Sequence, residues 1–171
     1  MATLLPITSL EIMKLHIVTT KSDPSGILKR DLSAQVEKTE NMKQYRTEMI
    51  RLCREFRGIG LAANQAGLAH NMFIVMPGAK LLPSGAAEIV VNPKWEPHPE
   101  AVSFESVEGC LSLPGRTFKV SRWSRIKASW DNVNGHRVER VLKGMAAKVF
   151  QHESDHLRGL TLEQTSIAEG L

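Results

Sequence analysis

Residues 151–157 read Gln-His-Glu-Ser-Asp-His-Leu, and they continue an apolar stripe with helical spacing. Met145, Val149, His152 or Glu153, and His156 recur at steps of three and four. One face of a helix over 145–158, with Gly159 as its stop, therefore runs from apolar side chains straight into ionisable ones. Burying a carboxylate costs on the order of several kcal/mol unless it is paired or linked to a metal. Any fold of this chain must enclose the helix and still satisfy its charges.

The rest of the chain supplies material for that enclosure. The clearest second helix spans 39–57, with Thr39 as N-cap and Gly58 as stop. Met42, Tyr45, Met49, Leu52, Cys53 and Phe56 form its apolar face. Strand-like runs fall at 13–18, at 72–76 ended by Pro77-Gly78, and at 88–92 ended by Pro93. Residues 125–130 and 136–141 flank Asp131-Asn132-Val133-Asn134-Gly135 as a hairpin. Residues 20–37 are a polar stretch with a turn at Ser22-Asp23-Pro24-Ser25-Gly26. The pattern predicts an α+β domain, antiparallel sheets packed around a central helix, with one long amphipathic helix nearer the N-terminus.

At 171 residues the chain is expected to be one domain, 1–171, with 1–12 a dispensable extension. That extension has no basic n-region and reads poorly as a signal peptide. The net charge of +4 is spread among acids, so no direct nucleic-acid footprint is expected. No apolar run approaches a membrane span. Two cysteines, Cys53 and Cys110, do not make a disulfide scaffold, which favours a reducing compartment.

On a helix, His152 and His156 lie one turn apart, and two such imidazoles can grip zinc or another late divalent ion. Glu153 beside them is placed to take a proton from a water that the ion acidifies. A third ligand is required. A metzincin would place His where Leu162 stands. Downstream, only Glu163 and Glu169 are acidic. Upstream, Glu108-Gly109-Cys110-Leu111-Ser112-Leu113-Pro114 offers Cys110, beside a strand-like segment ended by a Pro-Gly turn. A thiolate is a strong ligand, although most cysteines are small buried hydrophobes. Cys53 fits that second description better, since it lies on an apolar helix face.

Three segments stand in order: Gly58-Ile59-Gly60-Leu61-Ala62-Ala63-Asn64-Gln65, Glu108-Gly109-Cys110-Leu111-Ser112, and Gln151-His152-Glu153-Ser154-Asp155-His156-Leu157. Together they resemble the signatures of the peptide deformylase family at every defined position. The resemblance implies removal of the formyl group from N-formylmethionyl peptides, with release of formate. It implies Cys110, His152 and His156 as ligands of one divalent ion, natively iron(II), with zinc, nickel or cobalt able to occupy the site. It implies Glu153 as general base and then acid, and the Gln65 amide and Leu111 N–H as donors to the oxyanion. Ile59, Val149 and the His152 ring would line the methionine pocket, and an extended substrate can pair with Ile59–Gly60 as an added strand. Arg122 would support Glu108, and Arg116 would meet the peptide beyond the methionine.

Bacterial members commonly continue into a long C-terminal helix. Here 160–171 shows little amphipathic pattern, so that helix is expected to be absent, and with it support for ribosome proximity. The expected protein is a cytoplasmic monomer without membrane contact. Two alternatives remain: a metallopeptidase cutting internal amides, and an inactive metal-binding module.

Overall fold

The computed structural model describes residues 15–169. In chain order the principal elements are α1 (Lys43–Glu55), β1 (Gly60–Ala62), β2 (Met72–Val75), β3 (Glu88–Pro97), β4 (Ser103–Cys110), β5 (Leu113–Trp123), β6 (Arg125–Asp131), β7 (Arg137–Lys143), α2 (Gly144–Leu157), α3 (Leu162–Thr165) and β8 (Ser166–Glu169). One sheet has five strands in the order β1-β2-β3-β6-β7, the other three in the order β4-β5-β8. Every pairing is antiparallel, so the expected α+β class with antiparallel sheets holds.

The centre of the five-stranded sheet is apolar on both faces, and side-chain alternation divides it. Met72, Ile74, Ile89 and Val91 pack with Met49, Leu52 and Cys53 of α1. Phe73, Val75 and Val90 point the other way, onto Val149 and Phe150 of α2. Phe150 meets Phe73 edge-on at 5.1 Å between ring centroids and Trp130 at 5.8 Å. Such aromatic pairs add about 1 kcal/mol each beyond the area they bury. On the other side, the Gln151 side chain clamps β5: Trp123 N donates to Oε1 at 2.9 Å, and Nε2 donates to Trp123 O at 2.9 Å. The motif-bearing helix is thus tied to both sheets.

Several boundaries depart from the pattern-based expectation. The first helix begins at Lys43 rather than Thr39, because 39–41 forms a separate 3-10 turn and no side chain caps α1. Phe56 leaves the apolar face and is 48% exposed, and Met145 lies outside the buried face of α2 at 45%. Residues 15–18 are extended but join neither sheet; one bond, Val18 N to Gln65 O at 2.8 Å, anchors them. Met13, Lys14 and the 1–12 extension lie outside the described residues. Pro93 does not end its strand, since β3 passes it through a register shift between Val91 and Lys94, with Asn92 at φ 51. A bulge is where a sheet tolerates a residue lacking N–H. Pro114-Gly115 is likewise inside β5 rather than a turn. After α2 the chain forms α3 and then β8, which pairs Phe118 with Glu169 and Val120 with Ser166. Among the described residues the segment after α2 thus holds a four-residue helix and a strand where a long helix was not expected.

Gly159 closes α2 in the left-handed conformation at φ 74, with Leu160 N donating to Asp155 O at 2.9 Å. A Cβ there would sit 2.5 Å from Lys29 O, a backbone atom that cannot swing aside. Gly159→Ala combines a left-handed alanine with overpacking and is expected to destabilise the protein by about 3 kcal/mol. Urea unfolding measures this, and a loss below about 1 kcal/mol would contradict the packing described.

Candidate metal centre

Cys110 ends β4 at a register shift between Gly109 and Cys110, facing α2. Its Sγ lies 3.2 Å from His156 Nε2. Cys110, His152 and His156 each offer a ligand atom, all within 4.8 Å of one another, which suits one small cation. They are the one such group of His, Cys, Asp and Glu among the described residues.

The surroundings orient these groups. His152 Nδ1 meets Glu108 Oε2 at 2.8 Å, which leaves Nε2 to face the cation position. Glu108 is held in turn by Arg122, with Nε to Oε1 at 3.0 Å and Nη2 to Oε2 at 2.9 Å. The third Arg122 nitrogen donates to Asp155 Oδ2 at 2.5 Å. The buried guanidinium therefore answers two buried carboxylates. Asn64 Nδ2 donates to His156 O at 2.6 Å and fixes the end of α2 from behind.

Gln65 sits on a 3-10 turn directly after β1. Its Oε1 accepts from Ala62 N at 2.9 Å, and this turns Nε2 toward Cys110 Sγ at 3.2 Å and Ser112 Oγ at 3.2 Å. Glu153 is buried, and its Oε2 has no hydrogen-bond partner in the protein. Gly60 makes room for it, since a Cβ there would lie 2.4 Å from Glu153 Oε1 and 2.8 Å from Val149 Cγ1.

Burial opposes charge on Cys110, but the electrostatic pull of His156 and the hydrogen bonds from His152 and His156 outweigh it and hold the thiol well below its ordinary range. Cys110 is thus held as a thiolate, the form able to ligate a metal ion. Burial also opposes charge on His152, yet bonding to Cys110 and Glu108 pushes it up to about 10. An ion binding at His152 would have to displace that proton. Burial pushes Glu153 up to about 7, against the lowering effect of the two histidines. Burial alone would raise Glu108, but the bonds from His152 and Arg122 hold it down at about 2. Cys53 is an opposite case: burial pushes its thiol up to about 12, and it packs as a hydrophobe.

Gln65, Glu108, Cys110, His152 and Glu153 line a cleft of about 1010 Å³. Leu111 follows Cys110 at the tip of the β4–β5 hairpin, within the lining. Ile59 is 43% exposed there, and Val149 is buried against the same space. Arg116 lies at the rim, ion-paired with Glu163 and stacked over Phe118 at 4.7 Å. Sequence reasoning gave no site role to Ser112, Asp155, Asn64 or Val107, and read Phe56 as core and the segment containing His16 as a strand. The one available signal was for Asp155, which falls three residues after His152 and so shares its helix face. A smaller groove of about 520 Å³ over Trp95 and Arg140 holds no nucleophile or ligand cluster.

The family model of polypeptide deformylase matches residues 15–167. The chain belongs to the peptide deformylase family. Among curated relatives, the peptide deformylase of Thermotoga maritima is 39% identical over 134 residues, covering 77% of each chain. That of Aquifex aeolicus is 33% identical over 138 residues, 81% of this chain and 80% of its own. The crystal structure of peptide deformylase from Thermotoga maritima superposes with a TM-score of 0.76 at 33% identity, covering 89% of this chain and 97% of that one. A probable peptide deformylase from Synechococcus phage S-SSM7 gives 0.73 at 30% identity, covering 88% and 99%. This deformylase therefore matches a phage homologue over nearly that protein's whole length. Among its described residues no helix is long and apolar enough to cross a membrane.

Proposed function

We propose that the protein is a metal-dependent hydrolase that removes the formyl group from N-formylmethionyl peptides, and that Cys110, His152 and His156 hold its ion. The observation that carries this is the meeting of a thiolate, two imidazoles, a buried carboxylate and an oriented amide in one cleft. The donor set fits a late divalent cation, since thiolate and imidazole favour iron(II), zinc, nickel or cobalt over hard ions. When bound, the ion supplies Lewis acidity, making water a nucleophile at neutral pH and polarising the formyl oxygen.

The side chains supply the rest. Glu153 takes one proton from the attacking water, a task suited to a carboxylate pushed up to about 7. The water oxygen bonds to the formyl carbon, and the former carbonyl oxygen gains negative charge. Gln65 Nε2 and the Leu111 N–H donate to that oxygen. Glu153 returns its proton to the amine nitrogen as the C–N bond breaks, leaving formate and a free N-terminus. Ile59, Val149 and the His152 ring hold the methionine side chain, and the peptide extends along Ile59–Gly60 toward Arg116. The single Arg122 guanidinium keeps Glu108, and hence His152, in register.

The native ion on this proposal is iron(II). Air should inactivate the iron-loaded protein faster than a nickel-substituted one, because iron(II) and its thiolate ligand are both oxidisable, and equal decay rates would refute the assignment. The protein acts as a single catalytic domain and a cytoplasmic monomer on nascent chains. The decisive assay is formate release from formyl-Met-Ala-Ser by anaerobic, iron-loaded protein. Formate well above the enzyme-free rate is expected, and none with the site filled would exclude this substrate class.

A further inference from the structure

We propose that the mouth of the cleft favours formyl-methionyl peptides bearing an acidic residue one or two positions after the methionine, and that Arg57 and Lys148 confer this preference. The inference rests on the deformylase reading of the site. It begins from how charge is layered in the cleft wall. The acids of the lining, Glu108 and Glu153, are buried, and Glu108 is neutralised by Arg122. The cations lie farther out. Arg57 is exposed and Lys148 half-buried, and both line the cleft. Among the described residues neither side chain has a hydrogen-bond or ion-pair partner. Arg116 is also at the rim, but Glu163 already answers it. A substrate leaving the methionine pocket therefore passes two uncompensated positive charges and no exposed negative one from the lining.

Their distance from the reacting centre sets which substrate residue they meet. Lys148 precedes His152 by four residues on α2, one turn or about 5 Å farther out on the same face. Arg57 precedes Gly60 by three residues, across the turn that leads from α1 into β1, and so lies within about 10 Å of it. β1 is an outer strand of its sheet, so a peptide can run along its unpaired edge. With the formyl group between Glu153 and Gln65, the second and third residues of such a peptide come level with Arg57 and Lys148. Arg57 also occupies a backbone position that glycine ordinarily fills. It stands after the end of α1 at φ 56, with its N–H bonded to Arg54 O at 3.0 Å.

Two partly solvated ion pairs of this kind are together worth about a fivefold difference in kcat/KM. The test uses iron-loaded protein and C-terminally amidated peptides, formyl-Met-Asp-Ala-Ala and formyl-Met-Ala-Asp-Ala against their lysine counterparts. Amidation removes the terminal carboxylate, the other anion these cations can hold, and a neutral peptide with a free carboxylate runs in parallel. Aspartate should exceed lysine about fivefold at low ionic strength, and the gap should close in about 0.5 M salt. In the double variant Arg57→Gly, Lys148→Met the ratio should fall to near one. That variant gives the left-handed position its preferred residue, so the fold is retained. Equal rates for both peptides, with formate released readily, overturn the proposal and leave the deformylase reading intact. A preference that survives in the double variant, or one seen with the free terminal carboxylate alone, overturns it as well. No formate from any peptide overturns the underlying reading instead.

Discussion

Glu153→Gln should lower kcat/KM by about a thousandfold while leaving the bound ion in place. The amide has the size and shape of the carboxylate, so the space beside Gly60 stays filled. It cannot accept a proton from water or return one to the departing amine. Both steps draw on the same group, which places the loss well inside the hundred- to ten-thousandfold range, about 10²–10⁴, for general acid–base catalysis. Stability should move the other way. Burial raises the folded-state pKa of Glu153 to about 7 from an ordinary 4.5. An acid raised in this way costs stability once the unfolded chain ionises, above about pH 4.5, and the cost is complete above about pH 7. Chelator-treated Glu153→Gln should therefore match the wild type at pH 4 and exceed it at pH 8. Steady-state formate release and urea unfolding at the two pH values check both halves. A variant retaining a tenth of wild-type activity would remove Glu153 from the proton-transfer role.

Cys110→Ala should abolish tight metal binding. Losing an outer partner of a metal ligand already weakens binding by about 10- to 100-fold, and loss of a ligand itself exceeds that. The His152 ring keeps its orientation through Glu108, and Asn64 still holds the backbone of His156, so the variant should fold and yet emerge metal-poor. Cys53→Ala is the control, because that thiol is buried in the α1 packing and is held protonated. Metal content per chain and competition against a chelator distinguish the two. Full occupancy in Cys110→Ala would mean that the third ligand lies elsewhere and would reopen the metallopeptidase alternative.

The helix bearing His152 and His156 was legible because its apolar stripe runs into its charges, and the three motifs together pointed to Cys110 across a long chain separation. What escaped was structure imposed by neighbours. Ser166 to Glu169 is too short to declare a strand, and it becomes one because β5 offers an unpaired edge. Pro93 and Pro114 read as terminators, yet a bulge and a sheet position that needs no donor let both strands continue. Thr39 has the chemistry of a cap, but the chain spends 39–41 on a 3-10 turn. The pairing of Arg122 with Glu108 was within reach of inference. Its second partner, Asp155, depended on how α2 packs against β5.

The amide clamp between Gln151 and the backbone of Trp123 bears on how the ion is acquired. It binds the helix carrying two of the proposed ligands to the sheet carrying the third through contacts made entirely by protein. Assembly of the chain and capture of the cation are then separate events, unlike in small zinc domains where one drives the other. Circular dichroism of chelator-treated protein should keep its native shape, and a collapse to coil would show the two events to be one. A scaffold finished before its ion arrives exerts little proofreading over which ion that is. The metal found in the enzyme becomes a record of what its surroundings supplied.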